Sequence, residues 1–413
     1  MSFMSTANPE SAFARVRTYP LPPAGFDART VSPLELRRYG LPQRPDASQH
    51  PELASLWDRV FSRKLTYITP TFQPIGELLP GVQPRGHFDR ALSTFTTLNW
   101  SGCVVHAAAN QKFTWVHGVW NVPDVQPPAK GQGLWYSFAW IGIGKSNIAQ
   151  IGTVQYVSTD KQGNVSTGCY AAFEWWPNNW TPIGNFPVNF GDTVNGLICL
   201  QSATEASANL VNVTTGLSVS FDFSAPSGMA SDDEDQIEWI MELPGYSGAN
   251  PQLPNFGEIY FGSALGGGGL DLVVNAGTDT VLNLGASNAI VATTTVETPT
   301  LIKIAYVPLT MTIGVTAPSF PGSIGVGDTE TGELVISATF KAVVTFPSPS
   351  PEGSFYWAAG DYTVGVNAPV SVPISFTPRA PGTVTEILEL ISNAQNGPTV
   401  VTLQGVGKKG ITP

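Results

Sequence analysis

The middle of this sequence has very few basic residues. Between Ala91 and Pro308 there is no arginine, and five lysines face sixteen aspartates and glutamates. The first ninety residues, by contrast, hold eleven of the twenty lysines and arginines. Acid unfolds many proteins by charging them positively, and a segment with few cations resists that effect. The pattern indicates adaptation to low pH, or compositional drift in a β domain rich in Thr, Val and Gly.

Other features that are scarce in the sequence argue against several classes of protein. The net charge of −11 argues against a nucleic-acid partner. No apolar run approaches the ~20 residues that a membrane-spanning helix needs, and the first residues lack the apolar stretch of a secretory signal. Three cysteines, Cys103, Cys169 and Cys199, are too few for a disulfide scaffold. They lack metal-site spacing, so we predict buried free thiols and no metal site.

Composition and pattern predict an all-β chain with three parts. Gly and Pro are frequent while apolar content stays at 42%, which is typical of β proteins with many turns. Residues 1–90 form a basic leader, residues 91–308 read as short strands of an antiparallel sandwich, and residues 309–413 alternate in period two. Within the leader, Leu53, Leu56, Trp57, Val60 and Phe61 share one face of a helix predicted at about Pro51–Lys64.

The familiar catalytic sets are absent from the middle segment. His106 and His117 are its only histidines, and no HExxH, GxSxG or phosphate-loop pattern occurs. Carboxylates and amides are therefore the remaining candidates for chemistry.

Three strand segments place a polar side chain among apolar ones. Glu238 lies between Ile237 and Trp239, and Glu174 between two aromatic residues. A carboxylate in such a position costs several kcal/mol if it is buried without a partner or a function. Gln150 shares a strand face with Gly152, which we expect to leave open space beside the amide. Each of the three could equally be a polar residue on a solvated sheet face.

These segments belong to a series of motifs that resembles the glutamic peptidases, or eqolisins. The resemblance covers about residues 95–307, half of the chain. The motifs occur in the family's order: Asn99-Trp100-Ser101-Gly102, Trp140-Ile141-Gly142-Ile143, Ala149-Gln150-Ile151-Gly152, Glu174-Trp175-Trp176-Pro177, Gly191-Asp192, Asn212-Val213-Thr214-Thr215-Gly216, Ile237-Glu238-Trp239-Ile240 and Phe256-Gly257-Glu258-Ile259.

The resemblance implies a jelly-roll or lectin-like β-sandwich endopeptidase that acts in acid on protein or peptide substrates, without metal or cofactor. Gln150 and Glu238 match the catalytic glutamine and glutamate. The side chains that the matched motifs place in the substrate cleft are Trp100, Trp140, Glu174 and Trp176. The family also suggests secretion, although no signal peptide is visible in this sequence.

One departure from the family lies beside the cleft. The family commonly has aspartate-glycine after the Trp-x-Gly-Ile run, whereas this chain has Gly144 and Lys145. A carboxylate is lost there and a cation is gained nearby. A catalytically inactive homologue is therefore one alternative.

Two further alternatives come from other functional classes. A glycan- or surface-binding sandwich could use exposed tryptophans as a stacking platform, namely Trp135, Trp175, Trp176 and Trp180. A glycosidase could use Glu174 and Glu238 as its two carboxyl groups, which then need a separation of about 5 Å or 6.5–9.5 Å.

The flanking segments carry separate expectations. Residues 309–413 resemble bacterial immunoglobulin-like modules through the PISFTP, APGT and LQGVG segments, and we expect such a module to contact a cell surface or a polymer. The leader has more basic than acidic residues, so we expect it to pack on the acidic middle segment as a propeptide and to cover or border the cleft.

Overall fold

The computed structural model describes most of the chain. The described residues are 16–73, 96–97, 100–107, 111–128, 132–145, 147–175, 180–225, 236–244, 252–268, 271–274, 278–279, 281–283, 290–307, 312–338, 342–365, 368–392 and 399–409.

The chain divides into two compact units. The first comprises Met1–Pro128, Gln132–Leu284 and Ile290–Val307, and the second comprises Ala129–Gly131, Gly285–Ala289 and Pro308–Pro413. The leader therefore belongs to the same unit as the middle segment. The predicted boundaries at residues 90 and 308 stay predictions.

The first unit is built almost entirely from short strands, as its alternating apolar residues and frequent turn residues predict. Two helices occur among its described residues, α1 (Pro33–Arg38) and α2 (Pro51–Phe61). Its strands are β1 (Val16–Thr18), β2 (Thr66–Tyr67), β3 (Thr96–Thr97), β4 (Trp100–His106), β5 (Trp115–Asn121), β6 (Gly133–Ile143), β7 (Ala149–Thr159), β8 (Val165–Trp175), β9 (Thr181–Pro182), β10 (Thr193–Ser202), β11 (Glu205–Asn212), β12 (Leu217–Ser224), β13 (Gln236–Glu242), β14 (Glu258–Gly268), β15 (Asp271–Val274), β16 (Thr278–Asp279), β17 (Val281–Asn283), β18 (Ile290–Thr298) and β19 (Leu301–Tyr306).

These strands form two mainly antiparallel sheets. The seven-stranded sheet has the order β16-β4-β13-β6-β7-β8-β9. The twelve-stranded sheet has the order β1-β12-β11-β10-β5-β14-β19-β18-β17-β3, with β15 paired to β14 and β2 paired to β12. The predicted all-β class and antiparallel sandwich are confirmed.

The core lies between the two sheets. It is formed by the face of each strand that carries the alternating apolar residues. The Trp239 indole of the seven-stranded sheet donates to the His117 carbonyl oxygen of the twelve-stranded sheet at 2.9 Å. The Phe173 and Phe221 rings meet across the same space at 4.8 Å. Burying such large aromatic side chains supplies much of the stabilisation of a sandwich.

The second unit is also a β structure. Its strands are β20 (Ile313–Thr316), β21 (Ser323–Gly325), β22 (Glu330–Ala338), β23 (Ala342–Phe346), β24 (Phe355–Tyr356), β25 (Gly360–Val364), β26 (Val370–Phe376), β27 (Gly382–Ser392) and β28 (Thr399–Lys408). They form a four-stranded sheet, β20-β22-β26-β24, and a five-stranded sheet, β21-β28-β27-β23-β25. The immunoglobulin-like assignment of this unit stays a prediction.

Helix α2 of the leader packs on the outer face of the twelve-stranded sheet, whereas Phe72 contacts Phe173 and Phe221 between the sheets. Helix α2 begins at Pro51, as predicted, but ends at Phe61 rather than Lys64. Its Leu53 and Leu56 pack with Leu265 of that sheet. No helix among the described residues is long and apolar enough to cross a membrane.

A buried carboxylate holds the start of the leader. Asp222 on β12 forms an ion pair with Arg17 of β1 and accepts a hydrogen bond from the Tyr19 hydroxyl at 2.5 Å. Gln201 and Ser207 of the sheet also donate to the same carboxylate, at 3.0 and 2.9 Å. An ion pair and hydrogen bonds to Asp222 thus attach the leader to the twelve-stranded sheet. The predicted position over the cleft is not where this attachment lies.

A cavity of about 750 Å³ lies between the leader and this sheet, and His117 lies in its wall. The His117 Nδ1–H group donates to the Ser263 carbonyl oxygen at 2.8 Å. Its Nε2 accepts from the Asn195 amide, also at 2.8 Å. Burial lowers the pKa of His117 to about 4, so the folded chain keeps this imidazole neutral in mild acid.

The free energy of unfolding should therefore contain a contribution from His117 that falls as the pH drops from about 6.5 to about 4. The unfolded chain binds this proton more readily, and the loss amounts to at most about 3 kcal/mol. Urea unfolding across pH 4–7 should show a weaker dependence in His117→Gln than in the wild type. Equal dependence in both chains would contradict the assignment.

Candidate active site

The predicted catalytic residues lie in one row across the seven-stranded sheet. Cross-strand pairing aligns Glu238 with Val104 and Gly142, Gly142 with Gln150, and Gln150 with Glu174. All five lie on the face turned away from the twelve-stranded sheet, since Trp239 and its neighbours occupy the other face. Strand pairing thus brings together an amide and two carboxyl groups that are far apart in sequence.

Gly142 lies between Gln150 and Glu238, and the Ile148 side chain also approaches it. A Cβ atom placed on Gly142 would lie 3.1 Å from the Cγ atom of Gln150 and 3.2 Å from the Cγ atom of Glu238. The two side chains therefore flank a position without a side chain of its own. The expectation for Gly152 was wrong, because a Cβ atom there would collide with the Ala139 carbonyl oxygen.

Gln150 is held by Glu174. The Gln150 Nε2 group donates to Glu174 Oε1 at 2.7 Å, and both side chains are buried. The amide oxygen of Gln150 has no hydrogen-bond partner within the described part of the chain. This orientation leaves the oxygen and the second N–H group of the amide available for a ligand.

Glu238 has a neighbour that sequence reasoning missed. Gln236, two residues earlier on β13, donates from Nε2 to Glu238 Oε2 at 3.1 Å. The spacing of two residues could have shown that the side chains share a face. It does not show that they touch.

A third carboxyl group, Glu242, lies on the same face of β13 and is buried. Burial raises the pKa of Glu174 well above its usual range, and the negative charges of Glu242 and then Glu238 raise it further. The hydrogen bond from Gln150 acts in the opposite direction. Glu174 therefore stays protonated in mild acid, where it can still accept the bond from Gln150.

Aromatic side chains line the remainder of this face. Trp140 packs edge-on against Phe138 at 5.4 Å, and Phe138 against Trp180 at 4.7 Å. Trp100 belongs to the same cluster. Trp100 and Trp140 thus lie on the same face as Gln150 and Glu238, in a buried cluster. Their role in a substrate cleft stays a prediction, and Trp176 lies outside the described residues.

The tryptophans proposed as a stacking platform are not exposed. Trp135, Trp175 and Trp180 are all buried, and Trp175 packs on Phe223 between the sheets at 5.7 Å. Aromatic side chains that bind sugars need an accessible ring face. Among the described residues, this prediction for a glycan-binding protein was wrong.

The backbone explains the glycine at position 144. Gly144 has φ +113°, and a Cβ atom there would collide with the Asn147 carbonyl oxygen. An aspartate at this position would therefore be strained. Lys145 is exposed, so the gained cation does not enter the buried carboxyl cluster.

The structure also locates the two histidines and the three cysteines of the middle segment. His117 lies on the twelve-stranded sheet, and His106 is exposed at the end of β4. No disulfide joins Cys103, Cys169 and Cys199. Among the described residues, no group of three His, Cys, Asp or Glu side chains is arranged to hold a metal ion.

The pKa of Glu174 makes a prediction about stability. A carboxyl group whose pKa is raised by folding stabilises the protein fully below its unfolded pKa and loses that contribution as the pH rises. The contribution of Glu174 to the thermal midpoint should therefore fall as the pH rises above about 4.5, in the direction opposite to the contribution of His117. The fall should be smaller in Glu174→Gln, which keeps a neutral acceptor for Gln150. Calorimetry of both chains between pH 3 and 8 tests this, and identical pH profiles would contradict it.

Comparison with known proteins identifies relatives of the first unit. Aspergillopepsin-2 from Aspergillus niger is 28% identical over 188 residues, which are 40% of this chain and 63% of that protein. Scytalidopepsin B from Scytalidium lignicola is 30% identical over 130 residues, 31% of this chain and 45% of that protein. The chain thus spans less than two thirds of the length of either relative.

Solved structures and a family model add to these matches. The crystal structure of scytalido-glutamic peptidase with a transition state analog inhibitor shares 24% identity at a TM-score of 0.42, over 51% of this chain and 98% of that one. The Peptidase A4 family model matches residues 98–306, which is half of this sequence. The chain therefore belongs to the Peptidase A4 family.

Proposed function

We propose that this chain hydrolyses peptide bonds in acid, through Gln150, Glu238 and a water molecule bound between them. The observation that carries the proposal is the row in which strand pairing places these two side chains on either side of Gly142. Membership of the Peptidase A4 family supports peptides as the substrate class.

The chemistry follows from the two functional groups. Glu238 as a carboxylate removes a proton from the water, whose oxygen then attacks the carbonyl carbon of the peptide. The Gln150 amide oxygen positions the water, and its second N–H group donates to the oxyanion that forms. Glu238 then passes the proton to the nitrogen of the leaving amine, and the C–N bond breaks.

Glu174 contributes by holding the amide. Its bond to one N–H group of Gln150 at 2.7 Å fixes which end of the amide carries the oxygen. A protonated Glu174 adds no negative charge beside the developing oxyanion. The raised pKa of Glu174 therefore suits catalysis at low pH.

Gln150 and Glu238 are buried, with 0% and 1% of their surfaces exposed. A peptide can reach them only after the groups that cover this face move away. Helix α2 of the leader packs on the twelve-stranded sheet rather than on this face, so the propeptide role of the leader stays a prediction.

Two other functions are less favoured by the geometry. Gln150 stands in the row between Glu174 and Glu238 and donates to Glu174, an arrangement that does not favour two carboxyl groups facing one glycosidic bond. An inactive homologue would keep the fold and lose only the cleavage, so activity measurements decide that case. A cell-surface or polymer contact through the second unit stays a prediction.

Replacing either member of the dyad should abolish cleavage. Glu238→Gln removes the base, and Gln150→Ala removes both the water-binding oxygen and the oxyanion donor. Each should lower kcat at least about 100-fold. Digestion of a denatured protein between pH 2 and 8, followed by mass spectrometry, measures the effect.

A matched control uses a carboxyl group elsewhere in the same unit. Glu205 on β11 is exposed, and Glu205→Gln should cleave like the wild type. Circular dichroism should show that all three variants keep the fold. Wild-type cleavage that survives Glu238→Gln would rule out the proposed base.

Acid should also trigger removal of the leader. Incubation at pH 3–4 should release residues 1–90 or produce a new N-terminus between residues 80 and 95, which lie outside the described residues. Asp222→Asn removes the charge that holds Arg17 and should accelerate the process. Mass spectrometry with parallel activity measurements follows it, and full activity of the uncut chain at neutral pH would reject a propeptide.

A further inference from the structure

Gln236 lies beside the base and is buried with it. Both side chains project from β13 to the same face, and 3% of the Gln236 surface is exposed. The Gln236 amide donates to Glu238 Oε2 at 3.1 Å. This contact fixes the Oε2 atom of the carboxyl group.

The surroundings of Glu238 otherwise favour its neutral form. Burial disfavours a charged carboxylate, and Glu174 and Glu242 on the same face bring further carboxyl groups. Among the described residues, His106 pairs with Gln236 on β4, and Lys145 follows the glycine whose N–H group bonds to the Gln236 carbonyl oxygen. Both are exposed, so solvent screens their effect. Four acidic residues, 232–235, directly precede Gln236 in the sequence. The N–H donor from Gln236 to the carboxylate favours its ionised form.

The backbone of Gln236 is held on both sides. On one side it pairs with β4 at His106. On the other side the Gly144 N–H group donates to the Gln236 carbonyl oxygen at 2.9 Å. Gly144 itself has a positive φ, which a residue with a side chain would adopt with strain.

We propose that Gln236 is a positioning residue for the reaction, which orients Glu238 through its side-chain hydrogen bond and favours the carboxylate form of this base. The proposal rests on the proposed role of Glu238 as the base. It adds a residue whose effect is on the pH range in which that base works.

The test compares Gln236→Met with the wild type. Methionine has a similar length and no donor, so kcat should fall about 10-fold, the value expected for a hydrogen bond to a charged group. KM should change little, since Gln236 touches the base rather than the substrate. The acidic limb of the kcat/KM profile should move up by about one pH unit, because a less stabilised carboxylate protonates earlier.

Gln155 provides a matched control. It is a buried glutamine on β7, with hydrogen bonds to Thr153 and Ser137 on the inner face of the same sheet. Gln155→Met should lower the thermal midpoint without moving the acidic limb. An effect of Gln236→Met on stability alone would show that Gln236 is structural and overturn the proposal.

A second readout does not need activity. Carboxyl carbons of a ¹³C-glutamate-labelled chain report the titration of Glu238, which Glu238→Gln identifies by the loss of its signal. In Gln236→Met this titration should move to higher pH. If the wild type cleaves no peptide but the titration moves, the proposed function fails while the effect of Gln236 on Glu238 stands. If the wild type cleaves and neither the limb nor the titration moves, the role of Gln236 is wrong.

Gln236→Glu covers the case in which the methionine variant does not fold. A glutamate of the same shape adds a fourth carboxyl group and removes the amide donor. In Gln236→Glu the titration of Glu238 should move to higher pH, and further than in Gln236→Met. No movement in this chain would also overturn the proposal.

Discussion

The site depends on the lateral register of four strands, β13, β6, β7 and β8. In this register Glu238 and Gln150 lie on either side of Gly142. A slip of one residue in any strand would turn its side chain toward the core and separate the group from the others. Packing on the opposite face fixes the register, since the Trp239 indole bonds to His117 and Ile141 fits above Gly118. Apolar packing between the sheets therefore sets the geometry of the polar groups outside.

The buried titratable groups of the first unit respond to acid in opposite directions. Protonation of His117 in the folded chain is unfavourable, because burial lowers its pKa to about 4. Protonation of Glu174 is favourable in the folded chain, because it removes a buried charge beside two other carboxyl groups. Low pH thus removes the repulsion between carboxyl groups in the site. It also disfavours the buried, neutral state of His117 in the wall of the cavity between the leader and the twelve-stranded sheet. Both effects suit the proposed function, in which the site works in acid after the leader has been released.

Much of the fold could be predicted from the sequence, because strand alternation and turn residues are local signals. The α2 helix was predicted from the spacing of Leu53, Leu56 and Trp57, although its predicted end at Lys64 lies past the observed end at Phe61. Gly142 and Gln236 were missed for a different reason. Which residue lies opposite Gln150, and which amide reaches Glu238, depends on pairing between distant strands and on side-chain rotamers. The same limit explains the errors over Gly152 and Trp175, whose sequence neighbours do not reveal what packs on them.

The departure at Gly144 can be understood through Gln236. In the sequence, Gly144 stands where the eqolisins commonly have aspartate, so the position reads as a lost carboxylate. In the structure the Gly144 N–H group donates to the carbonyl oxygen of Gln236 at 2.9 Å. Gln236 in turn donates to Glu238 from its side chain. Position 144 is thus linked to Glu238, the proposed base, through one backbone hydrogen bond and one amide. The difference at Gly144 therefore bears on the support of Glu238 as well as on the number of carboxylates near it.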